Sequence, residues 1–311
     1  MKDLSILIPA RSEEFLSKTI GDILEHVEAD TEVIVVLDGV WANPPIPQHP
    51  RVNVIYAPEA IGQRAATNLA CKLSKAKYVM KLDAHCAFDQ GFDRKLIADM
   101  QDNWTVVPTM RNLWAFDWKC YNCGWKKYQG PTPKKCEGCN NPKFKKKLVW
   151  IAKEKPQSNS YCFDGEPHFQ YFNEYTKREP YLTDVKTGLT ESMSIQGSCF
   201  MCTREKYWEL NLCDESLGSW GNQGIEVACK TWLSGGRVII NHKTWYAHMF
   251  RTKGDFIPKY LYDRGVAETK KKVWELFLNN QWDKQVRSLS WLVDKFRPVK
   301  GWEEYHDSSR R

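Results

Sequence analysis

Asp83 and His85 are the first residues whose types and spacing suggest chemistry. They close the run Val79-Met80-Lys81-Leu82-Asp83-Ala84-His85-Cys86. Side chains two apart in extended chain point to the same side. A carboxylate oxygen and an imidazole nitrogen then converge on one point, a donor pair suited to a divalent metal such as Mn²⁺. The tripeptide alone also fits a strand end with a solvated Asp and an incidental His. A second constellation is Cys120-x₂-Cys123-x₁₂-Cys136-x₂-Cys139. Two cysteine pairs at that spacing close on one tetrahedral ion, and Gly124 and Gly138 supply the tight turns. Structural Zn²⁺ is expected, with a two-disulfide clip or an iron site as alternatives. Four thiolates leave no open coordination position, so no catalysis is expected there.

The chain must be large enough to position both groups. Its 311 residues can bury one large core or two modest ones, and 13% aromatic residues with 14 Trp mark a globular chain. No apolar run approaches the ~20 residues of a membrane span. The start, Met1-Lys2-Asp3-Leu4-Ser5, leads straight into a strand pattern with no signal-peptide core. A soluble cytoplasmic protein with no membrane partner is expected, its other seven cysteines reduced and buried. Residues 115–147 hold nine Lys against Asp117 and Glu137, an excess equal to the whole net charge of +7. Such a cluster either meets phosphate or is the solvated face of a small lysine-rich module.

The first ~110 residues alternate strand and helix signals, as an α/β fold requires. Strands are expected at 4–8, 32–37, 52–56, 78–82 and 105–108. Helices are expected after Ser12 as a cap, from Gly62, and over 92–100. The strand ends carry Arg11 to Glu13, Asp38, and Asp83 with His85, the arrangement of a nucleotide crevice. Residues 148–190 are aromatic and loop-rich. Beyond them lie a strand at 197–201, helices at 204–210 and 226–233, a strand at 237–240, and a helical pattern over 255–296.

These residues resemble a known group, the nucleotide-sugar glycosyltransferases of the GT-A fold. Within their broad family 2 the chain is most similar to polypeptide N-acetylgalactosaminyltransferases. The likeness covers 4–110 and 193–251. It rests on Ile8-Pro9-Ala10-Arg11-Ser12-Glu13, Val36-Leu37-Asp38-Gly39, Gly62-Gln63-Arg64-Ala65-Ala66 and Leu82-Asp83-Ala84-His85-Cys86. The second block comprises Met193–Phe200, Ser219-Trp220-Gly221-Asn222-Gln223-Gly224-Ile225-Glu226 and Trp245-Tyr246-Ala247-His248-Met249-Phe250-Arg251. The resemblance implies an α/β GT-A domain with the four-cysteine zinc ribbon inserted and a C-terminal helical segment. Its parts would be a nucleotide-sugar-binding half over 1–114, the zinc insert over 115–147, an acceptor-binding half over 148–252, and the helical extension over 253–311.

It further implies a UDP-sugar donor and Mn²⁺, or Mg²⁺, held by Asp83, His85 and His248. Donor contacts would come from Ala10, Arg11, Glu13, Asp38, Arg64, Asp83, Gly197, Ser198, Trp220 and Arg251. Gln223 stands where the resembled group has Glu, and Gly224 where inverting enzymes carry an Asp; glycine cannot act as a general base. Gln223, Glu226 and Asp214 are therefore the catalytic candidates, and retention of configuration is favoured. The lysines, the zinc module and a basic 251–311 point to an acceptor hydroxyl on a hydroxymethylated pyrimidine in duplex or single-stranded DNA. A virus-encoded enzyme acting in a host cytoplasm would carry out such chemistry. The alternatives are a protein or polysaccharide glycosyltransferase and, in another class, a non-catalytic zinc-containing nucleic-acid-binding protein on a GT-A scaffold.

Overall fold

The computed structural model describes residues 2–250 and 265–303. Its centre is a run of parallel strands, β1 (Leu4–Ala10), β2 (Thr31–Asp38), β3 (Val52–Ala57) and β4 (Tyr78–Leu82), of which β1, β2 and β4 are buried and β3 is a half-exposed edge. Strands covered on both faces read as continuous apolar runs. Leu4, Ile6, Leu7, Ile8, Val35, Val36, Met80 and Leu82 are all at 0% exposure. Each such side chain contributes roughly 1.5–3 kcal/mol relative to the exposed state. The crossovers are α1 (Leu16–His26) and α2 (Gln63–Leu73), giving the spatial order β3-β2-β1-β4.

Past β4, β5 (Cys86–Phe88) and α3 (Phe92–Ala98) lead to the long β6 (Trp104–Cys120). Its outer half pairs with β7 (Lys126–Tyr128) and β8 (Phe144–Ala152), forming a three-stranded sheet that carries the cysteine module. A hairpin of β9 (Tyr161–Phe163) and β10 (Phe169–Tyr171), α4 (Glu179–Asp184) and β11 (Leu189–Glu191) occupy the stretch expected to be loop-rich. Then come β12 (Cys199–Thr203), α5 (Arg204–Glu209), α6 (Gln223–Leu233), β13 (Arg237–His248), α7 (Gly265–Leu278) and α8 (Leu289–Phe296). The main path of the sheet is β11-β13-β6-β12-β4-β1-β2-β3, with β12 antiparallel to β4 and β13 parallel to β6.

Two expectations about elements change, and part of a third falls outside the described residues. Ser12 does not cap α1: its φ is 53°, in the left-handed region, and the helix starts three residues later than such a cap would place it, with no side-chain cap. The strand expected to stop at Pro108 continues to Cys120, across the expected boundary at 114/115. A proline removes a ladder donor and is tolerated where pairing is interrupted. Opposite Pro108 and Thr109, β13 has its one irregularity, between Asn241 and Trp245. Of the helical pattern expected over 255–296, the part at 255–264 lies outside the described residues.

Candidate metal and nucleotide-sugar site

The strand β4 ends at Leu82, and the chain bends so that Asp83 and His85 face the last residue of β13. His248 reaches them because β13 pairs with β5, His248 opposite Cys86. The Nε2 atoms of His85 and His248 are 3.1 Å apart, and His248 Nε2 lies 3.4 Å from Asp83 Oδ2. Neighbouring ligands of an octahedral ion, bonded at about 2.1 Å, sit about 3 Å apart, so these separations fit one divalent cation. Burial pushes His248 down to about 4, which leaves its imidazole neutral with a lone pair at neutral pH. Burial is the largest single influence on the Asp83 carboxyl and would raise it; the Lys81 ammonium and the two histidines together outweigh burial and hold the group well below the usual range. Glu13 lies behind His85, its carboxylate 3.2 Å from Nδ1. A carboxylate on the far ring nitrogen fixes the face the other nitrogen presents to a metal.

Beside Asp83 opens a cavity of about 260 Å³, lined by Gln63, Phe169, the segment Ile195–Ser198 and the segment Trp220–Ile225. Gly197, Ser198, Trp220 and Gln223 therefore stand at the same opening as Asp83. Gln223 is 5% exposed, its Nε2 donates to Cys213 Sγ at 2.8 Å, and its Oε1 has no partner among the described residues. Ala10 is buried as the last residue of β1 and Arg11 follows it, half-buried.

Other expected roles are corrected. Glu226 is fully buried, with Arg64 Nη2 at 2.8 Å and Lys230 Nζ at 2.8 Å, and lies away from the cavity lining. A carboxylate gripped by two cations cannot take a proton from substrate. Arg64, expected to reach the donor, is at 0% exposure; it donates to Glu226 and to the carbonyls of Gly218 and Gly221. Asp214 caps a short turn, accepting from Ser216 N and Oγ, with Lys230 at 3.6 Å. Asp38 is fully buried and accepts from the amides of Ile61 and Gly62 at 2.6 and 3.1 Å, so it ties down the entry to α2. Glu13 orients His85 in place of facing the opening. Arg251 lies outside the described residues.

Sequence reasoning missed Lys81 and Gln63. Lys81 is 1% exposed and donates to Asp83 Oδ1 at 2.5 Å and to Gly197 O at 2.8 Å, joining the metal-site carboxylate to the cavity wall. A lone lysine inside the apolar run Tyr-Val-Met-Lys-Leu was the available signal, because a buried ammonium needs a partner. Gln63 Nε2 approaches Asp83 Oδ1 at 3.4 Å.

In the cysteine module the two knuckles repeat one geometry. Gly124 N donates to Cys120 O and Asn140 N donates to Cys136 O. Sγ separations are 3.7 Å for Cys120–Cys139 and 3.5 Å for Cys123–Cys136, and all four lie within 4.8 Å of one another. The edge of a ZnS₄ tetrahedron is about 3.8 Å for ~2.3 Å bonds; a disulfide is about 2.05 Å. Hydrogen bonding from Asn122 brings Cys139 down to about 6, whereas desolvation pushes Cys136 up to about 11. The remaining seven cysteines are buried and unpaired, as expected.

Four parallel strands with helical crossovers joined to a mixed second half, with an Asp-x-His and a distant His at the strand ends, is the GT-A architecture, and the chain has that fold. Residues 5–122 match the family model described as Glycosyl transferase family 2. The chain is 32% identical to N-acetylgalactosaminyltransferase 7 of Homo sapiens over 79 residues, 25% of this chain and 12% of that protein. It is 23% identical to polypeptide N-acetylgalactosaminyltransferase 3 of Mus musculus over 208 residues, 67% of this chain and 29% of that protein. The chain thus spans under a third of either relative. The crystal structure of GalNAc-T7 with UDP, GalNAc and Mn²⁺ superposes with a TM-score of 0.63 at 16% identity, covering 90% of this chain and 49% of that one. No helix among the described residues is long and apolar enough to cross a membrane.

Proposed function

We propose that the protein is a metal-dependent glycosyltransferase that moves a sugar from a UDP-sugar to a hydroxyl acceptor. The observation that carries this is the convergence of Asp83, His85 and His248 beside the 260 Å³ cavity. Those three residues would hold Mn²⁺ or Mg²⁺, which when bound supplies Lewis-acid stabilisation to the leaving diphosphate. Lys81 keeps the Asp83 carboxylate charged and aimed, and Glu13 keeps His85 turned to the cluster. Residues 1–114 form the donor-binding half in this reading and 148–252 the acceptor-binding half.

Among the described residues lining the cavity, Asp83 is the sole carboxylate, and it belongs to the metal cluster. No side chain there is placed to act as a general base for inversion, which supports retention, with the departing phosphate oxygen itself taking the acceptor proton. Gln223 lines the cavity and its buried carbonyl oxygen has no partner among the described residues, so with a small turn of its side chain it would accept a hydrogen bond from a sugar hydroxyl. The cysteine module would hold one structural Zn²⁺.

For the acceptor we assign a hydroxymethylated pyrimidine in DNA, as a virus-encoded enzyme in a host cytoplasm would use. The lysine excess of 115–147 beside the zinc cysteines supports this. The test is incubation with a panel of UDP-sugars and hydroxymethylated DNA, read by mass spectrometry, with UDP-sugar hydrolysis in parallel. Hydrolysis should require Mn²⁺ and fall at least ~100-fold in Asp83→Ala, since losing even a group that only supports a metal ligand typically costs ~10–100-fold. Transfer to a peptide or glycan with none to DNA overturns the acceptor. A wild-type protein that neither binds nor hydrolyses any nucleotide sugar overturns the enzyme reading in favour of a binding scaffold.

A further inference from the structure

The outer sheet β7–β6–β8 has two unlike faces. Residues opposite one another across strands share a face. Trp118, Lys127 and Lys146 form one row. That face turns inward: the Lys146 ammonium stands 4.8 Å from the Phe116 ring centre and 5.8 Å from that of Phe15, and it pairs with Glu14. On the opposite face Lys119 lies between Lys126 and Lys145, and Asp117 lies between Tyr128 and Lys147.

Three lysines abreast are an electrostatic liability, since like charges directly opposite in a sheet destabilise it. Among the described residues no carboxylate pairs with Lys119, Lys126, Lys145 or Lys147; Asp117 is 7% exposed and is taken by the Trp114 indole N–H. Two tyrosines stand among these lysines, Tyr121 at 61% and Tyr128 at 41% exposure. Lys145 sits over the first ring at 5.5 Å and Lys153 over the second at 4.4 Å. An unneutralised cationic row with exposed rings matches a ligand that carries regularly spaced anions and flat apolar faces together. Phosphodiester strands with unstacked bases have both. A duplex hides its base faces, and a lipid surface offers no rings to stack.

We propose that this outer face binds single-stranded nucleic acid, lysines to phosphates and tyrosine rings to bases. The inference deepens the DNA-acceptor reading above. It also gives that reading a geometry, because β6 is continuous with the site. His248 is paired with Asn112, and Lys119 lies seven residues further along the same strand. At ~3.3 Å per residue this is at most about 23 Å, within reach of a strand that runs from the platform to the cavity.

The test uses the full chain with its metals and a fluorescein-labelled thymidine 20-mer, followed by anisotropy across salt concentrations. Wild type should bind, with log affinity falling linearly in log salt. The triple variant Lys126→Gln/Lys145→Gln/Lys147→Gln should bind at least ~10-fold more weakly at 100 mM salt. Its salt slope should be smaller by about 2, since each lysine–phosphate contact on a single strand contributes about 0.7. Tyr121→Ala should weaken binding without changing that slope. Zinc content and thermal midpoint report that each variant is folded. No binding at 50 mM salt, an unchanged slope in the triple variant, tighter binding of a 20-mer duplex, or lysine-dependent binding of phosphatidylserine vesicles in place of the oligonucleotide would each overturn the inference. UDP-sugar hydrolysis by the same samples separates the two readings. Hydrolysis without oligonucleotide binding removes only the platform, and oligonucleotide binding without hydrolysis removes only the enzyme.

Discussion

At the scale of single residues, charge burial decides which polar groups are free to act. Arg64, Glu226 and Lys230 are all within 1% of full burial, and Asp214 adds a fourth charge that brings the set to neutrality. Removing one member of such a set leaves an uncompensated charge in a dry interior, at a cost of about 3–5 kcal/mol. Glu226→Ala is therefore expected to lower unfolding stability by that amount in urea melts, because it takes from Arg64 and Lys230 the carboxylate they share and leaves the buried set with excess positive charge. A purely catalytic Glu226 would instead leave the melt unchanged and abolish turnover. Asp83 is the contrasting case: its carboxylate has one oxygen on Lys81 and the other turned to His248 at the cavity mouth. From sequence, both carboxylates were candidate participants. Acidic type and motif position were legible, whereas the cations that immobilise Glu226 come from helices α2 and α6, 162 positions apart for Arg64.

Among the elements, α6 shapes the cavity by how closely its first turn approaches the segment before β12. A Cβ on Gly224 would fall 2.1 Å from the Ile195 carbonyl oxygen, and one on Gly197 would lie 3.0 Å from Gly224 N. Both contacts are with backbone, which cannot rotate away. In an exposed helix Gly→Ala gains about 1 kcal/mol of propensity. Here the clash dominates, since overpacking typically costs about 1–3 kcal/mol. Gly224→Ala should thus lower the thermal midpoint and weaken UDP binding by calorimetry at least ~10-fold as the first turn of α6 moves off the cavity. The departure that made Gly224 look like a lost catalytic group has this packing explanation. Strands β1, β2 and β4 were readable to within a residue or two because burial on both faces enforces apolar runs; the half-exposed β3 was readable from its β-branched and aromatic residues. β6 was not, because its outer half mixes Arg111, Asn112, Asp117 and Lys119 into a strand whose stability comes from its partners β13, β7 and β8.

For the whole molecule, the two metal-type clusters are spaced along β6, one beside Asn112 at the middle of the strand and the other at Cys120 at its end. The cysteine end lies among exposed lysines and has little apolar core of its own, so binding of the proposed Zn²⁺, on the order of 10 kcal/mol for such sites, would supply what packing does not. One tightly held Zn²⁺ per chain is expected by elemental analysis, unaffected by excess Mn²⁺. Releasing it with a thiol reagent should raise amide exchange at least ~100-fold in β7, β8 and the outer half of β6. Exchange in β1, β2 and β4 should hardly change, because their burial is independent of the module. Loss of protection throughout would show that the cysteine module also supports the main domain.

Chain order alone determined the doubly wound first half, the cysteine spacing, and the three potential metal ligands, the third through its likeness to a family. These are local signals: apolar runs, tight-turn glycines and thiol pairs keep their meaning in any context. What only the tertiary structure decided is which charged groups face the opening. Lys81 emerged as the partner of Asp83, Glu13 as the support of His85, and Arg64, Asp38 and Glu226 as struts. That outcome depends on side chains brought together from distant elements, Arg64 and Glu226 being 162 residues apart. There desolvation leaves a charge either paired and buried or displayed at the cavity, and no local pattern records which.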